Sequence, residues 1–207
     1  AWIDAVTNKE ATAWVNRWPD WPWPRMICCH GEKGSGKTHL AHIWVYASNA
    51  VYFDAVEASY KSPYELFKPN QPIALDDVDR LENWEWLFHF YNFIQDNSSF
   101  AFLAAKNPPN QWPVMLPDLS SRLQTLISVQ LQRPEENLLK AVMIKQFLDR
   151  GLIVKPEALD YLLKHCERSF EAVNNWVIVL DKTAALKSRP ITIPLIREIL
   201  NDQNTVL

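Results

Sequence analysis

Glycine is almost missing from this chain, with four residues in 207. Few positions can therefore take a left-handed backbone without strain, and any cluster of glycines marks a loop with an unusual path. Cysteine is also scarce: three residues, an odd number, in no spaced Cys/His pattern. That excludes a disulfide scaffold and a zinc module, and it fits a reducing, cytoplasmic setting. Cys28 and Cys29 are neighbours in an apolar run that reads as a strand. Their side chains point to opposite faces, so they share no metal and read as buried core thiols. No apolar run approaches the ~20 residues that span a bilayer, and no signal peptide is visible, so no membrane association is expected. A basic surplus is absent as well: 21 Lys and Arg stand against 24 Asp and Glu, for a net charge of −3. Little direct DNA binding is expected from such a balance. The chain begins at Ala1, without a methionine, so a preceding segment is expected.

What is present is a large apolar inventory, 48% of residues, enough for a full core. Asn8–Trp18 carries apolar residues at Ala11, Trp14, Val15 and Trp18, a helical spacing. Pro19, Pro22 and Pro24 then forbid a helix. Short apolar runs at Met26–Cys29, Val51–Phe53, Ile73–Leu75, Phe100–Ala104 and Ile127–Leu131 read as strands. Helical segments at Thr38–Ala47 and Glu82–Gln95 fall between them, and Ser62-Pro63-Tyr64-Glu65 has the spacing of a capping box. Strands alternating with helices imply crossovers and a five-stranded parallel sheet between helices. After Arg133-Pro134 the pattern becomes helical only, over Glu135–Leu148, Pro156–Cys166, Ser169–Leu186 and Pro194–Leu200. The expectation is an α/β nucleotide-binding domain over residues 1–133 and a small all-helical lid domain over residues 134–207.

Three of the four glycines stand in Gly31-Glu32-Lys33-Gly34-Ser35-Gly36-Lys37-Thr38, which matches G-x-x-x-x-G-K-[ST] at every fixed position. The glycines let successive N–H groups face phosphate oxygens, and the helix opening at Lys37 adds its positive end. Lys37 is assigned to the β- and γ-phosphates, and the Thr38 hydroxyl to magnesium. His39, next on the helix, is counted with the nucleotide-contacting residues. The ligand expected is ATP or ADP with Mg2+. Ile73-Ala74-Leu75-Asp76-Asp77 supplies the second half: a buried strand ending in carboxylates. Asp76 is assigned to the magnesium shell, and Asp77 to orienting or deprotonating the attacking water. At the end of the next strand, Asn107 or Lys106 could reach the γ-phosphate, or could simply begin the loop before Pro108-Pro109. Of the ten tryptophans, Trp14, Trp44, Trp86 and Trp176 sit in predicted amphipathic helices and read as core. Trp21 and Trp23 could edge an adenine pocket or cover the sheet.

Gly31–Trp44, Leu75-Asp76-Asp77, Asn107-Pro108-Pro109, Leu116-Pro117-Asp118-Leu119-Ser120-Ser121-Arg122-Leu123 and Thr192-Ile193-Pro194 together resemble the DnaA-related AAA+ ATPases. The resemblance runs from about Asn8 to about Leu200. It favours the regulatory relatives of the initiator, because no helix-turn-helix reader of origin DNA follows the helical segment. It implies that Asp76 and Asp77 are the Walker B acids and that Asn107 approximates sensor 1. It also implies that Asn8 borders the adenine site. Arg122 falls where the family has its arginine finger, which acts on nucleotide held by a neighbouring subunit.

Two positions depart from the pattern. Glu171 stands where sensor 2 has arginine; whether Arg168, three residues earlier on a similar helix face, replaces it stays open. Lys106 stands where an acidic residue precedes sensor 1. Both departures weaken the expectation of self-hydrolysis. The function implied is regulation of chromosomal replication initiation: with the DNA polymerase sliding clamp, the chain stimulates ATP hydrolysis by DnaA and leaves ADP-bound, inactive initiator. Homo-oligomers are a further possibility. The clamp-binding peptide of such regulators is absent from these residues, and its expected place is upstream of Ala1. Two alternatives stay open: a self-sufficient P-loop ATPase or kinase, and a nucleotide-gated adaptor or helicase loader.

Overall fold

The computed structural model describes Ile3 and residues 5–204. The outermost residues of the two expected domain spans lie outside the described residues. Two compact units divide between Gln132 and Arg133.

The first unit holds a five-stranded, wholly parallel sheet. Its strands are β1 (Met26–His30), β2 (Val51–Asp54), β3 (Ile73–Asp76), β4 (Ala101–Ala105) and β5 (Ile127–Gln130), in the spatial order β2-β3-β4-β1-β5. Chain order reverses at β1, so β1 lies between β4 and β5, and its C-terminal end opens onto the crevice where α/β sheets bind ligands. Register is fixed by pairs such as Cys28↔Leu103 and Cys28↔Ser128.

Both faces of the sheet are apolar, as parallel strands require. Met26, Cys28, Ile73, Leu75, Ala101 and Leu103 pack one way, against α5 (Trp84–Asp96) and α6 (Pro117–Leu123). Ile27, Cys29, Ala74, Phe102 and Ala104 pack the other way, against α1 (Lys9–Asn16) and α2 (Lys37–Ser48). Cys28 and Cys29 thus enter opposite cores, both as free thiols. Burial raises both ionisations, that of Cys29 to about 12, which keeps them unreactive.

Trp44 is fully buried and stacks on Trp21, with centroids 5.2 Å apart. Trp21 donates its indole N–H to the carbonyl of Trp14 at 2.7 Å, so it covers the sheet rather than lining a pocket. Trp23 is 66% exposed.

Two short helices follow β2. The first, α3 (Ala55–Ala58), has no counterpart in the periodicity and is started by Asp54, whose Oδ1 accepts from the amides of Val56 and Glu57. The second, α4 (Pro63–Leu66), begins where the capping-box spacing predicts a helix, but Ser62 makes no side-chain capping bond. Its carbonyl accepts from Glu65 and Leu66 instead, because proline at the first helical position already presets the turn.

The second unit is helical: α7 (Glu136–Leu148), α8 (Pro156–Leu163), α9 (Phe170–Lys187) and α10 (Ile193–Asn204). Leu139, Met143, Phe147, Leu159, Leu162, Val173, Val177, Leu180, Leu195 and Ile196 form its own core, with Trp176 packed against it. Among the described residues, no helix is long and apolar enough to cross a membrane.

Candidate nucleotide site

The glycine-rich loop leaves β1 at His30 and turns directly into α2. Gly34 (φ 78°) and Gly36 (φ 101°) take left-handed backbone that a Cβ would strain. Gly31 is needed for a different reason. A Cβ there would lie 2.3 Å from the carbonyl oxygen of Leu131. Its amide is shared between the carbonyls of Ala105 and Lys106, which ties the loop to the end of β4. Ser35 is buried at 2% exposure, and its hydroxyl has no protein partner. Lys37 is 9% exposed and donates to the carbonyls of Gly31 (2.7 Å) and Glu32 (2.9 Å), so its ammonium sits inside the loop. Glu32, Lys33, Thr38 and His39 are exposed around the rim. His30 sits below the loop, and burial together with the Lys37 charge lowers its ionisation.

Asp76 ends β3 beside this loop at 7% exposure. Its Oδ2 accepts from the Thr38 hydroxyl at 2.6 Å and from the Tyr52 hydroxyl at 2.7 Å, while Oδ1 accepts from the amide of Asp77 at 2.9 Å. Thr38 and Asp76, thirty-eight residues apart, are thus joined at the sheet's C-terminal edge. The donor set suits magnesium, a hard cation that keeps most of its waters and leans on one or two oxygen ligands plus phosphates. Among the described residues, no group of three or more His, Cys, Asp or Glu forms a closed metal cage.

The other expected site residues have different surroundings. Asp77 turns through φ 54° and pairs with Arg80 at 2.9 Å. The amides of Lys106 and Asn107 both donate to Asp79 at 3.1 Å, and the Asn107 side chain points the same way at 3.4 Å. Asn8 is buried in a turn: its Oδ1 accepts from the Ala5 amide and its Nδ2 donates to the Ile3 carbonyl, both at 2.9 Å.

Arg122 is engaged on every side. It grips Asp118 with two bonds (3.1 and 3.0 Å), donates to Asn92 at 2.6 Å, and lies over the rings of Phe88 and Tyr91. Its side chain remains 31% exposed. In the helical unit, Glu171 lies in the first turn of α9, and Arg168 donates to Glu136 at 3.0 Å. Tyr52, Asp79 and Asn92 lie outside the motifs, and Asp118 lies within one without an assigned role. Of these, the pair of Asp118 with Arg122 has a local signal, the i,i+4 spacing on one helix.

Phosphate loop, strand-end aspartate and sheet order together define a P-loop unit of AAA+ architecture, followed by a helical lid segment. The lid segment, residues 136–200, matches the family described as Hda, lid domain. An uncharacterised protein of Haemophilus influenzae is 28% identical, over 83% of this chain and 79% of its own length. The chromosomal replication initiator protein DnaA of Cutibacterium acnes is 22% identical over 85% of this chain, which spans only 40% of that initiator. Among solved structures, AMPPCP-bound DnaA from Aquifex aeolicus superposes with a TM-score of 0.75 at 18% identity, over 98% of this chain and 68% of that one. The helical segment thus resembles the Hda lid domain, and the fold as a whole is that of DnaA-like AAA+ proteins.

Proposed function

We propose that this chain binds ATP or ADP with Mg2+ at Gly31–Thr38 and regulates chromosomal replication initiation. The reading includes a nucleotide domain ending near residue 133 and a lid after it. The observation that carries it is the meeting of Lys37, Thr38 and Asp76 at the mouth of β1 and β3. Loop amides and the Lys37 ammonium hold the phosphates, and Lys37 exchanges its two loop carbonyls for phosphate oxygens. Thr38, braced by Asp76, faces the metal, which when bound neutralises phosphate charge. The AMPPCP named with the Aquifex relative supports an adenine nucleotide.

DnaA is the partner this reading assigns, with the sliding clamp coupling the encounter to ongoing replication. The chain presents Arg122 to nucleotide on a DnaA subunit, where an arginine supplied in trans accelerates phosphoryl transfer by ~10³–10⁵. Because Arg122 is held by Asp118 and Asn92, delivery exchanges those contacts for phosphate oxygens. Asp77 and Asn107 keep their assignment as water-orienting and sensor residues, on condition that Arg80 and Asp79 release them. Glu171 in place of an arginine favours catalysis shared with DnaA over self-sufficient turnover. Calorimetry with ADP and Mg2+ tests the site. Wild-type protein binds, and Lys37→Ala loses roughly a hundredfold in affinity, the equivalent of about 2.7 kcal/mol. Undiminished binding by Lys37→Ala removes the assignment.

A further inference from the structure

We propose that Tyr52 is a positioning residue for the metal-facing carboxylate, its hydroxyl setting the plane of Asp76 for a hydrated magnesium ion on nucleotide phosphate. The inference rests on the nucleotide reading above and extends it to a strand outside both motifs.

Tyr52 lies on β2, at the edge of the sheet, and its register partner on β3 is Ala74. Strand periodicity puts Tyr52, Ala74 and Asp76 on one face, the face covered by α2. From there the ring leans along the strand, and the hydroxyl meets Asp76 Oδ2 at 2.7 Å. One turn beyond Thr38 on the same helix, His42 stacks on the Tyr52 ring, with centroids 4.4 Å apart and planes at 27°. The ring is therefore clamped between α2 and the sheet, with its hydroxyl aimed at a single atom.

Oδ2 has two donors, and they differ in one respect. Thr38 is also the group that turns an oxygen lone pair toward the metal, so its hydrogen bond to Asp76 is coupled to metal binding. Tyr52 has no such second task. Without Tyr52 each carboxylate oxygen would keep one donor, Thr38 on Oδ2 and the Asp77 amide on Oδ1, and Oδ2 would depend on the group that also serves the metal. With Tyr52 added, the carboxylate plane is fixed by three donors. A hydrogen bond to a charged group is worth enough to matter here.

Tyr52→Phe in the full chain is the test. It keeps the ring against His42 and deletes only the hydroxyl, and a melting scan checks that the fold is retained. ADP affinity is titrated in EDTA and across a series of Mg2+ concentrations. Affinity in EDTA is expected to stay within about twofold of wild type, while the Mg2+ concentration needed for half of the metal effect rises about tenfold. An unchanged Mg2+ midpoint overturns the inference by making the hydroxyl incidental. A lowered midpoint also overturns it, by making Tyr52 a competitor of the metal. Should wild-type protein show no Mg2+-dependent ADP binding, the site reading falls and this inference with it. Normal wild-type behaviour matched by Tyr52→Phe sinks the inference alone.

Discussion

The glycine-rich loop and the α5–α6 ridge each hold one cation, Lys37 and Arg122, with opposite materials. In the loop the work is done by main chain: amides, carbonyls that hold Lys37, and glycines whose missing Cβ makes room. On the ridge it is done by side chains: Asp118, Asn92, Phe88 and Tyr91 around one guanidinium. A main-chain site tolerates few residue types, because sterics dictate them. A side-chain site is exchangeable, so its cation can be held in one place and delivered in another. On the function proposed above, the first would serve constant occupancy and the second a partner-dependent act.

The largest effect expected from this contrast is on the ridge. Arg122→Ala should leave ADP affinity unchanged and lower stimulation of DnaA hydrolysis by ~10³ or more, read in a turnover assay with both proteins and the clamp. Normal stimulation by that variant would reduce Arg122 to a helix clip.

Next is the loop itself. Gly31→Ala forces a Cβ against the Leu131 carbonyl, a backbone atom that cannot rotate away. Denaturant unfolding should show a loss of about 2–4 kcal/mol. A loss under about 1 kcal/mol would mean that β5 yields, and that the loop is less rigid than the comparison claims. The smallest effect is expected away from both regions. Arg168→Ala removes an exposed pair with Glu136 and should change stability by less than about 1 kcal/mol. A drop in nucleotide affinity instead would give Arg168 the sensor role that Glu171 cannot fill.

Much of the fold was readable along the chain. Each strand lies within a residue or two of its apolar run, because the central parallel strands β1, β3 and β4 are covered on both faces, while edge strand β5 keeps Ser128 and Gln130 exposed. The opposite fates of Cys28 and Cys29 followed from the two-residue period alone. What escaped were local rivalries among polar groups. The spacing Ser62-to-Glu65 suggests a capping bond that proline makes unnecessary. Asp54 starts a helix that no periodicity announces, since four residues are too few to show one. The sequence assigns Asp76 and Asp77 different roles, but their partners are not legible in it: Asp76 is buried on Thr38 and Tyr52, while Asp77 turns out to Arg80.

By itself, then, the sequence determined the phosphate loop, the alternation of strands and helices, and the change to helix after Arg133. Each depends on contacts between near neighbours or on the steric demands of single residues. Only tertiary structure decided which groups hold Asp76, Asp77, Asn107 and Arg122. Tyr52 reaches Asp76 across twenty-four positions, and Arg122 reaches Asn92 across thirty. No local pattern encodes such pairs. They exist because a twisted parallel sheet brings its strand ends, and the helices that cover it, to common edges.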